Sequence, residues 1–289
     1  MCEFCLEHGE GKIWYKEMKQ YSEVLLNEPI SKQQQVWAGK ETRSEWVEDF
    51  FEHYVIQTID AYKTPQSEEE ADSQPATSDQ PEPNIDEIIA RRKAVHFGQV
   101  LPLEDVDEVI DMVDSITRIP CGCRYYRHGL SDQRYCFGLG MDTAGILGKY
   151  PEASTSLEVL EKEEAKQIFQ SYDDEGLIHS IWTGLTPYVV GLCNCDRDCF
   201  PYRNYIEDAG SQSFFRAEYI FQVDWDLCDG CKSCMSQCQF GAQFYSSSLE
   251  KVYISPEKCF GCGVCRAACP NNAIEIIPRR ESEIAVELW

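Results

Sequence analysis

Apolar positions in the first half of the chain recur at helical rather than strand spacing. Between residues 13 and 27, Trp14, Met18, Tyr21 and Leu25 fall on one side and predict an amphipathic helix with an aromatic stripe. From Thr42 to Tyr62 the signal is stronger. Thr42 and Glu45 make a capping-box pair, followed by Val47, Phe50, Phe51, Tyr54 and Val55 on a single core-facing side. Asn84 can cap a helix containing Ile85, Ile88 and Ile89, and another is predicted around Leu103, Val106, Ile110 and Val113. A further helix runs from about Ser156 to Glu175, with Thr155 and Glu158 as its capping pair, Ala165, Ile168, Phe169 and Tyr172 on one face, and Gly176 as its stop. Strand-like stretches are fewer: YVVGLC at Tyr188 to Cys193, then YIFQVDWD and AIEII nearer the end. The expected class is therefore α+β, mainly helical in its N-terminal and middle regions.

Composition divides the chain further. Residues 64 to 84 (TPQSEEEADSQPATSDQPEPN) carry prolines, acids and small polar groups without an aliphatic or aromatic side chain, which predicts a linker or a long surface excursion. The expected organisation is a helical segment at 1–63 with a CxxC, the acidic, proline-rich linker at 64–84, a helical cysteine-rich metal-binding region at 85–212, and a distinct C-terminal unit at 213–289. In 289 residues, 26 Lys plus Arg stand against 50 Asp plus Glu, a formal charge of −24. That balance opposes a nucleic-acid partner, since phosphate binding needs clustered cations. No apolar run approaches the roughly 20 residues that span a bilayer. The opening MCEFCLEHGEGK reads as neither a basic leader nor an export signal, so the expected compartment is the cytoplasm.

The 16 cysteines change the picture most. In a reducing compartment, thiols at such short spacings suit metal ligation better than a disulfide framework. Cys228, Cys231, Cys234 and Cys238 form C-x2-C-x2-C-x3-C, and the same spacing returns 31 residues later at Cys259, Cys262, Cys265 and Cys269, followed by Pro270. Ala242 and Ala273 share that offset, so the unit is an internal duplication. A zinc site needs four ligands and gives no reason for two triads, each trailed by a fourth cysteine.

Over residues 219 to 277 these motifs resemble the bacterial-type ferredoxins that hold two 4Fe-4S clusters. The resemblance implies a pseudo-twofold dicluster module in which three cysteines of one copy and the fourth of the other share a cluster. Carried over, one cluster belongs to Cys228, Cys231, Cys234 and Cys269, and the second to Cys259, Cys262, Cys265 and Cys238. Gly230, Gly261 and Gly263 suit loops that wrap tightly and aim amides at sulfur. Gln239 departs from the pattern, standing where the second copy has Pro270.

Six more cysteines precede the duplication: Cys121, Cys123 and Cys136, then Cys193, Cys195 and Cys199. Their C-x-C and C-x3-C spacings match neither ferredoxin triads nor the radical S-adenosylmethionine motif. IPCGCR, a later cysteine, GLIH and a CNC group ahead of a ferredoxin repeat are similar to larger ferredoxin-domain proteins of anaerobes. With Cys2 and Cys5, these thiols are candidates for one or two further iron-sulfur clusters or, with His8, for a zinc site. Arg124, Arg127 and Arg134 lie near them in sequence, as charge-balancing groups or ordinary ion-pair partners, and His179 reads as a structural hydrogen-bonder.

The long region upstream of the duplicated module is too large for a free shuttle ferredoxin, so the expectation is an electron-transfer subunit of a larger redox enzyme with no catalytic residue of its own. The acidic charge predicts docking on basic surfaces of catalytic subunits. The competing expectation is a self-contained reductase in which the middle cysteines hold a substrate-facing cluster, with His179 or His128 in its pocket. No G-x-G-x-x-G or P-loop indicates flavin, nicotinamide or ATP.

Overall fold

Short apolar runs buried on both faces, rather than amphipathic helices, build the middle of the protein. The structure, a computed structural model, describes residues 13–16, 32, 35, 39–50, 52, 86, 87, 89, 90, 98–124, 133–140, 157–183, 188–197, 199 and 215–288. Cys2, Cys5, His8, Arg127, His128 and the 64–84 segment lie outside these residues, as does most of the helix expected at 13–27.

Six strands form one antiparallel sheet: β1 (Gln99–Leu101), β2 (Ile116–Ile119), β3 (Cys136–Leu139), β4 (Glu158–Leu160), β5 (Ile178–Thr183) and β6 (Val189–Cys195), in the order β1-β5-β6-β3-β2-β4. The described helices are α1 (Arg43–Phe50), α2 (Leu103–Met112), α3 (Lys162–Asp174), α4 (Ser233–Gln237) and α5 (Val264–Ala267). The expectation of a mainly helical middle region is thus wrong. All four residues of β3 are buried, and nearly all of β5, so the alternation that marks a half-exposed strand is missing from the sequence. The helix expected from Ser156 starts only at Lys162. Its supposed cap, Glu158, lies instead in β4 and pairs with Arg118 of β2 at 3.3 Å.

The sheet domain is a duplication that the cysteine spacing does not reveal. Each half runs strand, helix, strand, strand: β1-α2-β2-β3, then β4-α3-β5-β6. Exchanging the halves reverses the strand order into itself. The registers agree, because Leu101 pairs with His179 as Leu160 pairs with Ile116, and His179 pairs with Asn194 as Ile116 pairs with Leu139. These equivalences place the local twofold at Phe137 and Leu192, which are themselves partners.

Both helices cover one face. In α2, Val106, Val109 and Ile110 are buried at helical spacing, with Glu104 and Asp105 in the first turn where the helix dipole favours anions. In α3, Ala165, Phe169 and Tyr172 point inward. Gly176, at φ +83°, ends the helix as Leu177 N–H donates to the Tyr172 carbonyl at 2.9 Å. Phe137, Leu139, Ile181 and Leu192 complete this core, joined by Trp14 and Tyr15 from a short 3-10 turn. Trp14 Nε1 donates to Gln99 Oε1 at 2.7 Å, and the Tyr15 hydroxyl donates to Asp105. The Thr42–Glu45 capping box is reciprocal: Glu45 N–H donates to Thr42 Oγ1 at 3.3 Å, and Thr42 N–H to Glu45 Oε2 at 3.1 Å.

The opposite face meets the C-terminal module. There β7 (Tyr219–Val223) pairs with β10 (Ile274–Pro278), and β8 (Gln243–Ser246) forms a hairpin with β9 (Lys251–Ile254). Val100 and Ile178 from the sheet pack with Ala217, Phe260, Cys262 and Val264. Gln239 Nε2 donates to the Gly176 carbonyl at 2.7 Å, so the residue that departs from the repeat ties the module to the end of α3.

Arg266 pairs with Glu104 across the same junction. Burial is the largest single influence on the Glu104 carboxyl and raises it, but the hydrogen bond and charge of Arg266, with a backbone hydrogen bond and the charge of Lys16, together outweigh it and hold the group below the ordinary carboxylate value. A depressed folded pKa contributes stability above the unfolded value of about 4.3 and loses it as pH falls through the folded value. Screening at this half-exposed site limits the pair to under about 1 kcal/mol. Glu104→Gln should therefore unfold at slightly lower denaturant than wild type at neutral pH, the gap closing in acid. A gap that persists unchanged at pH 3 would refute the pairing.

Candidate metal centres

The two copies of the cysteine motif adopt one backbone path. Gly230 and Gly261 both have φ +74°, Lys232 and Gly263 have +68° and +87°, and Gly241 and Asn272 have +64° and +51°. Each pair is 31 residues apart. Left-handed residues at these points curl the loop so that three thiols face one chamber. Alanine is poorly tolerated at the first position for a second reason: a Cβ on Gly230 would overlap the Glu250 carbonyl oxygen, and one on Gly261 that of Tyr219.

Two chambers result. One is lined by Cys228, Cys231, Cys234 and Cys269, together with Val223, Val252 and Ile274. The other is lined by Cys238, Cys259, Cys262 and Cys265, beneath Phe221, Phe240 and Phe260. Each draws three cysteines from one copy and the fourth from the other. The fourth cysteines are placed alike, because Ala242 N–H donates to Cys238 Sγ and Ala273 N–H to Cys269 Sγ, both at 3.3 Å. Amide donors directed at sulfur favour the more negative state of a thiolate-bound centre.

The chambers differ in access. Cys231 is exposed and Cys228 and Cys269 are partly so, whereas Cys259, Cys262 and Cys265 are buried. Phe240 stacks on Phe260 at 4.1 Å over the buried chamber. Burial pushes the Cys234 thiol up to about 11, and Cys262 and Cys265 higher still. Neutral thiols are thus costly to ionise here without a cationic centre, so the donor set fits a group whose iron offsets the thiolate charge.

The middle cysteines also converge, on the sheet face away from α2 and α3. Cys136 and Cys193 are register partners, and their Sγ atoms lie 3.6 Å apart in a thiol hydrogen bond. Cys195 follows on the same side of β6, Cys121 lies two residues beyond β2, and Cys199 closes a turn after β6. Each of these thiols interacts with two others, which closes a ring in the order Cys121, Cys136, Cys193, Cys195, Cys199 and back to Cys121. Cys123 lies beside Cys136 and Cys193, close enough for its charge to act on both.

Protons are shared unevenly around the ring. The hydrogen bond from Cys136 draws Cys193 down to about 7. That from Cys121 lowers Cys199, with the Arg124 guanidinium adding to it. Cys121 is pushed up through its bonds to Cys136 and Cys199, and Cys195 through those to Cys193 and Cys199. For Cys136, a bond from Cys121 is outweighed by the bond to Cys193 and by burial, and it too rises.

Arg124 is buried, donates through Nη2 to Asp196 at 2.8 Å and lies 3.8 Å over the Tyr135 ring. Arg134 instead sits 3.9 Å from Glu158 at the sheet edge. His179 is fully buried on the helix side. Asn194 Nδ2 donates to the Tyr135 carbonyl, which leaves Asn194 Oδ1 to accept from His179 Nδ1 at 2.6 Å. His179 therefore faces α3 across the sheet from the thiols and cannot serve a pocket beside them.

Residues 227–279 match the family described as a 4Fe-4S dicluster domain, so this part of the chain is an iron-sulfur electron-transfer module with two such clusters. Among similar proteins is the archaeal-type glutamate synthase [NADPH] of Thermotoga maritima, 37% identical over 59 residues, covering 20% of this chain and 12% of that protein. The indolepyruvate oxidoreductase subunit IorA of Pyrococcus abyssi is 37% identical over 118 residues, 40% of this chain and 17% of its own length. A subunit of the ion-translocating oxidoreductase complex of Methanosarcina acetivorans is 45% identical over 49 residues, 17% of this chain and 18% of its own. The chain spans less than a fifth of each of these relatives. Among the described residues no helix is long and apolar enough to cross a membrane.

Proposed function

We propose that the whole chain is the electron-transfer subunit of a larger cytoplasmic redox enzyme. Cys228, Cys231, Cys234 and Cys269 hold one cluster, and Cys259, Cys262, Cys265 and Cys238 the other. The crosswise lining of the two chambers carries this reading. When bound, the clusters supply one-electron storage, while the protein sets their order and access. Cys231, exposed at the rim of its chamber, marks the end that exchanges electrons with a partner, and the Phe240–Phe260 stack shields the inner end. A charge of −24 suits docking on a basic rim around a catalytic subunit's cofactor, with association that weakens as salt rises. The relatives the chain matches are named as oxidoreductase subunits, apart from the synthases, which supports a catalytic partner.

Crosswise ligation has a spectroscopic signature. Cys238→Ala should lose the cluster that Cys259→Ala loses, so the EPR spectra of these two reduced variants should superpose and differ from that of Cys231→Ala. If Cys238→Ala instead matches Cys231→Ala, each copy binds its own cluster and the assignment fails. Anaerobic purification from the native source should recover a catalytic redox subunit with the chain. A fully loaded chain that elutes alone would remove the subunit reading.

A further inference from the structure

We propose that the helix-free face of the sheet holds a third iron-sulfur cluster, on four of the five thiols of Cys121, Cys136, Cys193, Cys195 and Cys199, in series with the cluster at Cys238, Cys259, Cys262 and Cys265. The inference rests on the electron-transfer reading above.

Three elements from distant parts of the chain bring these sulfurs together, and the pairing register fixes the contact at its centre. The local symmetry of the sheet sharpens the point. The residue equivalent to Cys136 under the twofold is Gly191, and that equivalent to Cys193 is Gly138. The thiols are therefore no by-product of the duplicated scaffold, but lie at one end of it alone.

The chemistry favours a polynuclear centre over a single ion. Tetrahedral zinc takes four thiolates, with each against the other three. The contacts here run around five sulfurs as a ring. Among the described residues no group of three or more His, Cys, Asp or Glu side chains is drawn around one point as a single ion requires, and this holds equally of the eight cysteines in the dicluster domain. Four thiolates on a cubane leave a net negative charge that needs a nearby cation. Arg124 supplies one: it is 7% exposed, contacts Cys199, and has a buried Nε with no hydrogen-bond partner among the described residues.

The placement in series follows from packing. Cys195 and Cys199 belong to the same buried cluster as Cys262, together with Val100, Ile178 and Phe260. Among the described residues, one buried apolar cluster thus includes thiols of both the ring and the inner chamber. One electron passes between the two centres, one core losing it as the other gains it, with no bond made or broken and no proton moved.

The test uses the full chain purified without oxygen, assayed for iron, acid-labile sulfide and zinc, beside Cys193→Ser/Cys195→Ser, which leaves three ring thiols. The expected result is about twelve irons and twelve sulfides in the wild type and about eight of each in the double variant, at four per cubane. The reduced wild type should also show magnetic interaction between neighbouring clusters that the variant lacks. Eight irons in the wild type, with or without one zinc, overturns the third cluster while leaving the dicluster relay intact. Twelve irons with a spectrum that is the plain sum of isolated clusters overturns the series placement. No iron at all would sink both readings, and because the iron count is made on the wild type, it does not depend on whether the variant folds.

Discussion

Replacing Gly261 with alanine should strip the inner chamber of its cluster, lowering the iron content by about four per chain. The position has φ +74°, which L side chains rarely adopt, and an added Cβ would overlap the Tyr219 carbonyl oxygen and approach Ala217 Cβ to 2.8 Å. Neither neighbour can withdraw. Tyr219 begins β7, which is held along its length by β10, and Ala217 N–H donates to the Phe260 carbonyl at 2.9 Å. The loop must therefore move, and Cys259 and Cys262 flank the point of movement. The cluster associated with Cys231 should survive, with its EPR signal unchanged. Full iron in Gly261→Ala would mean that the loop deforms freely, contrary to the packing around it.

Truncating Phe169 is expected to cost the apoprotein's sheet domain about 3 to 5 kcal/mol, the usual range for removing a buried aromatic ring. Phe169 is fully buried on α3, 4.6 Å from the Phe137 ring at the centre of the local twofold, and 5.5 Å from His179. Its loss opens a cavity beneath both halves of the duplication, and the flanking strands are too tightly paired to collapse into it. Denaturant unfolding of Phe169→Ala, followed by tryptophan fluorescence and compared with wild type, measures the cost. A loss below about 1 kcal/mol would show that the helix layer is loosely packed. Phe169→Leu fills much of the volume and should restore about half of the difference.

Legibility differed sharply between the parts. The two C-terminal cysteine triads could be read from spacing, because each lies within one loop whose left-handed turns at Gly230 and Gly261 are written locally, while the crosswise fourth cysteine came only with the family resemblance. The capping box at Thr42 and Glu45 and the apolar faces of α2 and α3 were readable for the same reason. Lys232 was missed, since a lysine in the left-handed region has no signal except its alignment with Gly263, 31 residues on. Gln239 stood out as a departure from the repeat, but its task, bonding to the Gly176 carbonyl, lies in another part of the fold. The sheet was hidden because strands covered on both faces lose their alternation, and strands of three or four residues resemble pieces of helix or loop.

Local chemistry, then, was sufficient for iron-sulfur ligation: thiols two and three residues apart can reach one inorganic core whatever surrounds them, and the repeat announces a second. Long-range pairing was needed for everything that relates one centre to another. Cys136 meets Cys193 because two strands align in a single register, and a shift of one residue would turn them to opposite faces. Cys199 and Cys262 share one buried cluster because the module packs Phe260 with Val100 and Ile178. Such contacts depend on the free energy of packing whole elements together, and no short stretch of residues records it.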